Sequence, residues 1–415
     1  MPIVSCNCIN IRYVKYINNS FFSVIGLMNS KYLKYKNKYH NHMREMHKAQ
    51  YYYINQFGGH NIDYDTTPKT YTISEANNIF TINLFENFNG SSNIFTPIGL
   101  IYSLSLIHIA TTDNTDKQMN QVLKYKYNID EINTLIQIFN NNIMLINTYF
   151  IINDSVNKIN NKYLEIIKPL VKILIGTEID LFVYKINKHI ENTTDTMIKN
   201  VIEVSDVFQG ITIVNVCYFK GSWEKKFDIN ETVKMKFHKA ETKLVSMMHQ
   251  IEYFNYYENS VIQLVELPYD EKNYTMGILL PKKYLEEEGL EYSINNVPII
   301  TESAINEFIN NMTYTLIDLY LPKFTHHKKI DLVLTLKKMG MIDVFESPIN
   351  MIGSSVSNFI QSVTIIVDEI GVEPYVNKKK YKSSNIQFVA NHAFLYYIRH
   401  LTTGMFLFFG DYQGK

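Results

Sequence analysis

"FVANHAFLYYIRHLTTGMFLFFG", residues 388–410, is the stretch from which the rest of the chain is best read. Two apolar runs, 394–398 and 405–409, flank "HLTTG", a short connection whose Gly404 suits a hairpin. Both runs are apolar at consecutive rather than alternate positions, so both faces of each strand are expected to be buried. Directly upstream lies "TIIVDEIGVEPYVNKKKYKSSNIQF", residues 364–388. It begins in a third apolar strand, 363–367, and then carries Gly371, Pro374 and four lysines, Lys378, Lys379, Lys380 and Lys382. So polar a segment between buried strands is unusual.

Further back, "ITIVNVCYF", "VIQLVELPY", "YTMGILLP" and "YTLIDLYLP" read as strands from residue 211 onward, with a helix at 331–338. Before residue 211 the pattern is helical. Helices are expected at 74–88, where "NGSS" breaks the first, and at 98–109, 161–175 and 186–202. Helices come first and many strands follow, with no regular βαβ alternation. That order predicts an α+β domain with large antiparallel or mixed sheets.

The texture changes near Thr67-Pro68, which predicts a leader over 1–68 and a folded domain over 69–415. The chain has 415 residues with 40 basic against 40 acidic, so no global charge draws it to nucleic acid or membrane. Residues 1–60, however, carry eight Lys or Arg against the single acid Glu45. Lysines interleave with tyrosines there, a composition that suits nucleic acid or an anionic surface, or else a solvated, disordered or loosely helical leader. The apolar run 21–28 follows Lys15 like a short signal core, but no small-residue cleavage site comes after it. Three cysteines, Cys6, Cys8 and Cys217, make no disulfide framework.

Catalytic motifs are missing. The sequence holds no G-x-S-x-G, P-loop, H-E-x-x-H or C-x-x-C. His326 and His327 are adjacent and would face opposite sides of a strand, a poor metal pair. Neither an enzyme nor a metal or cofactor site is expected.

Seven stretches in order carry a family resemblance: "NIFTPIGL" (93–100), "NVCYFKGSWEKKF" (215–227), "ELPY" (266–269), "LYLPKF" (319–324), "LKKMGMIDVF" (336–345), "VDEIGVE" (367–373) and the 388–410 segment. Over roughly residues 70–412 the chain resembles the serpins, serine protease inhibitors, and its leader resembles those on proteins of large DNA viruses. The resemblance implies three β-sheets, about eight or nine helices and an exposed reactive loop, which a serine protease cleaves and which then enters the largest sheet as a new strand. The polar segment between the buried strands resembles that loop, with Glu369, Gly371, Val372, Glu373 and Pro374 as its hinge and 373–387 expected to be exposed and the first part of the folded core to be cut. By resemblance Glu369, Lys323 and Trp223 form a cluster at the top of the sheet, and Thr96, Asn215 and Gln361 a polar cluster beneath it. It also implies a monomer acting in the extracellular space, with the host-cell cytoplasm or a virion as alternatives.

Counting back from Phe394 by the family spacing puts the cleaved bond at Lys382–Ser383, which suits a trypsin-like partner. Counting forward from Glu369 puts it at Asn385–Ile386. Inhibitory members carry small residues after the hinge glycine. Here Val372, Pro374, Val376 and Lys378 share one face of an inserted strand. On the buried face Pro374 would remove a ladder donor and Lys378 would bury a charge. The family's serines and histidine beneath the sheet give way to Gly99 and Gln361, and its proline or serine before Phe394 to Ala393. Two functions follow: an inhibitor of a serine-type endopeptidase, or a serpin-fold binding scaffold that traps nothing.

Overall fold

The computed structural model describes residues 71–88, 92–126, 128–153, 159–238, 242–282, 301–369 and 383–414. The leader, Cys6, Cys8, Gly371, Val372, Glu373, Pro374, Val376, Lys378 and Lys382 lie outside these residues. The chain divides into two units, Met1–Lys69 and Thr70–Lys415, and every described residue belongs to the second.

A capping box starts α1 (Ile73–Asn87). The Thr72 hydroxyl accepts from the Glu75 N–H, and the Glu75 carboxylate accepts from the Thr72 N–H at 2.8 Å. β1 (Ile94–Phe95) then leads through Thr96 into α2 (Pro97–His108). Pro97 sits in the first turn, where a missing N–H costs nothing, and every residue of α2 is buried. The amphipathic α3 (Asp113–Leu123) and α4 (Ile129–Phe139) precede β2 (Met144–Asn153).

Where one helix was expected over 161–175, the chain forms α5 (Asn161–Ile167) and then β3 (Lys172–Ile175). Pro169 offers no N–H to a further helical turn. The apolar "KILI" beyond it gains a parallel ladder against β2, from Tyr149↔Lys172 to Ile152↔Ile175. The helix expected over 186–202 is instead α6 (Ile179–Thr193). It ends where the Thr194 hydroxyl turns back to the Ile190 carbonyl at 2.8 Å and Asp195 and Thr196 take positive φ. The Asn187 amide then grips both the N–H and the carbonyl of Ile202, folding the returning segment back along the helix.

From there strands dominate: β4 (Gly210–Phe219), β5 (Val233–Phe237), β6 (Lys243–Glu258), β7 (Ile262–Pro268) and β8 (Tyr274–Pro281). After α7 (Glu302–Asn310) come β9 (Thr313–Pro322) and β10 (Phe324–Asp331), then the short α8 (Val333–Lys338) and α9 (Asp343–Glu346). β11 (Val356–Val367) runs up to the polar segment. β12 (Gln387–Val389), β13 (Phe394–His400) and β14 (Phe406–Tyr412) close the chain, and all the residues of β13 but Arg399 and all those of β14 are buried, as their unbroken apolar pattern requires.

Hydrogen bonding among the described residues joins two of the three expected sheets into one. β6 is 16 residues long; it pairs with β5 at one end, β9 along its middle and β7 at the other end. The resulting nine-stranded sheet runs β1-β14-β13-β8-β7-β6-β9-β12, with β5 on β6. A separate five-stranded sheet runs β10-β11-β4-β2-β3. In it β10/β11 and β4/β2 are antiparallel, but the central neighbours β11 and β4 are parallel. Alternate residues of β4 serve two cores. Ile211, Ile213, Cys217 and Phe219 face the main core, and Val214 and Val216 face a smaller one beneath α6.

Candidate functional site

Three groups of side chains surround the parallel seam between β4 and β11 and the ends of the polar segment. The first lies just past β11. Glu369 is only 3 % exposed, and its carboxylate receives Lys323 Nζ at 2.6 Å and the Thr232 hydroxyl at 2.9 Å. Burial pushes this carboxyl up, but the bonds from Lys323, the backbone and Thr232 outweigh it and hold the group below the usual glutamate range. Next to it, Trp223 Nε1 donates to the Asp368 carbonyl at 2.8 Å, and its ring stacks on Tyr269 at 4.6 Å. Gly221 is required here, because a Cβ would come within 2.6 Å of the Tyr269 ring.

The second group lies across the seam on its core side, where Gln361 of β11 faces Asn215 of β4. Gln361 Nε2 donates to Asn215 Oδ1 at 2.7 Å and to the Thr96 carbonyl at 3.0 Å, while its Oε1 accepts from the Thr96 N–H at 2.9 Å. Asn215 Nδ2 in turn donates to the Thr148 hydroxyl at 3.0 Å, which meets Ser103 at 3.1 Å. Cys217 closes the group with its thiol on Asn215 Oδ1, and burial pushes that thiol up to about 12. The group is therefore neutral throughout the ordinary pH range. Gly99 makes the arrangement possible: a Cβ there would lie 2.5 Å from Asn215 Oδ1 and 2.9 Å from Cys217 Sγ.

The third group marks where the polar segment rejoins the sheet. Ser383 and Asn385 are exposed. The Ser384 hydroxyl donates to the Leu316 carbonyl at 2.7 Å and accepts from the Ile386 N–H at 3.1 Å. The Ile386 carbonyl accepts from the Asp318 N–H at 2.9 Å, and the Ile386 side chain packs on the main core. β12 then pairs in parallel with β9.

Glu369, Lys323 and Trp223 are thus in one place, and Thr96, Asn215 and Gln361 in another. Thr232, Thr148, Ser103 and Ser384 were not singled out from sequence, since lone hydroxyls in polar stretches carry no pattern. Gly99 did have a signal. A glycine inside a helix as apolar as α2 costs about 1 kcal/mol against alanine, which implies a close approach. His326 and His327 do face opposite sides of β10, one bonded to Tyr396 and the other to Thr364.

The profile of the family described as Serpin (serine protease inhibitor) matches residues 75–413. An uncharacterized serpin-like protein of Acanthamoeba polyphaga mimivirus is 39 % identical over 403 residues, covering 92 % of this chain and 99 % of its own. Serpin B4 of Homo sapiens is 29 % identical, covering 82 % of this chain and 99 % of its own. Among solved structures, uncleaved ovalbumin superposes with a TM-score of 0.73 at 25 % identity, over 82 % of this chain and 99 % of its own.

Proposed function

The chain belongs to the serpin family, and on that premise we propose that it inhibits a serine protease by offering the segment after Glu369 as a cleavable reactive loop. The observation that carries this reading is the parallel seam between β11 and β4. The loop leaves directly from β11. Turned back at a hinge, it would run antiparallel to β11 and, because β4 is parallel to β11, antiparallel to β4 as well. One parallel ladder, the less stable kind per residue, would then give way to two antiparallel ones. The Lys323–Glu369 contact sits at the end of the seam where entry would begin. Entry would also break the Gln361–Asn215 bond, so both clusters act as restraints that cleavage must overcome.

The cleaved bond is Lys382–Ser383 in this reading. The alternative, Asn385–Ile386, is disfavoured because Ile386 has its N–H, carbonyl and side chain engaged by Ser384, Asp318 and the core. A protease needs the backbone on both sides of its target bond free to enter a cleft. A lysine before the bond complements the acidic pocket of a trypsin-like partner. The chain would be consumed as a suicide reactant rather than turn over as an enzyme, and one copy suffices.

A second reading, a binding scaffold that is cut without trapping, is favoured by Pro374 and Lys378 in the segment that would have to insert. One lacks a ladder donor and the other carries a charge into the interior. Incubation with a panel of trypsin-like proteases, followed by a denaturing gel, separates the two. A covalent adduct whose released fragment begins at Ser383 is the outcome expected of the inhibitor. Clean cleavage with no adduct, and no rise in melting temperature of the cut form, would replace it with the scaffold.

A further inference from the structure

At the β3 edge of the five-stranded sheet, away from the loop, three side chains meet that protease inhibition does not use. Tyr149 of β2 and Lys172 of β3 are direct neighbours in the parallel ladder, and His189 comes to them from α6. The Tyr149 hydroxyl lies 2.6 Å from His189 Nδ1, and Lys172 Nζ lies 2.5 Å from His189 Nε2. The phenol and imidazole rings meet edge to face at 6.0 Å, and Lys172 Nζ stands 5.7 Å from the centre of the Tyr149 ring. The three differ in access. Tyr149 is buried, His189 is half-buried, and Lys172 is exposed on the edge strand.

A lysine and a histidine this close are not both cations, because a bond between their nitrogens needs a lone pair on one of them. Burial lowers the Lys172 ammonium below the usual lysine range. Burial, and then the Lys172 charge, lower the His189 imidazole, so the ring is neutral at neutral pH. No described carboxylate acts on either group. Lys185, one turn before His189 on α6, brings only another positive charge to that side of the helix. Burial also raises the Tyr149 phenol well above its ordinary range, so it keeps its proton. A neutral imidazole that donates from Nδ1 to the phenol oxygen turns its Nε2 lone pair to the amine. Nucleophile, base and orienting group then stand in line within hydrogen-bond reach, the arrangement that activates a weak nucleophile.

We propose that Lys172 is an acyl-accepting site: with His189 as general base and Tyr149 as the residue that positions the ring, its amine takes the acyl group of a small thioester. A thioester fits because a thiol, with a pKa of about 8.5, leaves far more readily than an alcohol. The amine nitrogen attacks the carbonyl carbon, and a C–N bond forms as the C–S bond breaks. The sulfur leaves with the bonding pair. The proton shed by the nitrogen passes to His189 Nε2 and from there to the sulfur, giving an amide and a thiol. The product removes one cation and still offers an N–H to Nε2, so it relieves the crowding of two bases. None of this depends on the reactive loop or on the proposed inhibition.

The experiment incubates the full chain with a small acetyl thioester at about pH 7.5 and follows acetylation of each lysine by peptide mass spectrometry. The exposed Lys162 and Lys168 are references within the same molecule. Lys172 is expected to react about tenfold faster than either. That advantage should narrow toward about pH 10.4, where every lysine becomes a free amine. His189→Gln should bring Lys172 down to the reference rate, and Tyr149→Phe, which keeps the buried ring, should cost about threefold. Melting curves show whether each variant is folded. If His189→Gln is not, the pH profile of the unmodified chain decides alone, since simple exposure gives an advantage that stays constant with pH. Equal rates at Lys172 and the references, an advantage that persists to about pH 10.4, or one that survives in folded His189→Gln overturns the proposal.

Discussion

Just past the end of β11, Glu369 meets Lys323 at 2.6 Å, with the lysine side chain 43 % exposed. Earlier on the same strand, Gln361 meets Asn215 at 2.7 Å, with both residues fully buried. Both contacts lie along β11, but they respond to different variables. The upper one joins formal charges at the edge of solvent, so acid weakens it and salt screens it. The lower one joins amides, hydroxyls and an inert thiol, and neither pH nor salt reaches it. Its sensitivity is to volume, because Gly99 leaves no spare space around Asn215. On the proposed function, a change of charge would loosen the seam at the Glu369 end while its middle stays set.

The strongest way to break this contrast is Gly99→Ala. Helix propensity alone would favour alanine by about 1 kcal/mol. The new methyl would displace the Asn215 amide, however, leaving Gln361 and Thr148 without their partner. Overpacking and lost hydrogen bonds together should outweigh propensity and leave a net loss of about 2–3 kcal/mol. Urea midpoints should drop equally at low and high salt and at pH 5 and pH 8. A loss that varied with salt would mean that the lower cluster is coupled to charge after all.

Gln361→His sharpens the contrast by placing a titratable ring in the lower cluster. A buried imidazole is held neutral by desolvation, so its folded value lies below its unfolded one. Stability is then present above the unfolded value and is lost as pH falls below about 6.5. About 1–2 kcal/mol should disappear between about pH 7 and pH 5, a slope that the glutamine chain lacks over the same window. Urea unfolding at the two pH values reads it directly. An equally flat variant would show the site to be wet rather than sealed.

The sequence made the strands legible because their apolar runs are long and unbroken, as in β4, β8, β13 and β14. It made the upper cluster legible because Trp223, Lys323 and Glu369 stand in motifs that keep their order. It failed where tertiary contacts override local pattern. Residues 172–175 have the spacing of a helix face, yet the open edge of β2 offers them a ladder and Pro169 denies them the helix. Residues 194–202 continue the period of α6, yet Thr194 and Asn187 bind the backbone and turn it back. Thr232 and Asp318 could not have been found from spacing. Their roles come from the turn at 229–231 and the pairing of β9 with β12, which bring together residues far apart in the chain.

The smallest expected effect concerns the upper contact, and Glu369→Gln isolates its charge. Lys323 and Thr232 donate to different carboxylate oxygens. The glutamine keeps its one oxygen for Lys323 and turns its NH2 to the Thr232 hydroxyl, which can accept as well as donate, so both contacts can persist with one bond reversed while the charge is removed. Because the Glu369 carboxyl lies below the ordinary glutamate range when folded, the charge stabilises above about pH 4.3 and its contribution fades as pH falls through the lower folded value. The Lys323 side chain is 43 % exposed, so solvent screening discounts the Coulomb gain to about 1 kcal/mol. Urea unfolding of both chains should show that difference at pH 7, narrowing as pH falls below about 4.3 and through the lower folded value. Salt at about 0.5 M should narrow it at pH 7 too, whereas the loss caused by Gly99→Ala should not change. If the gap at pH 7 persisted into acid, the hydroxyl of Thr232 rather than the charge of Lys323 would be what holds Glu369, and the two restraints on the seam would be of one kind.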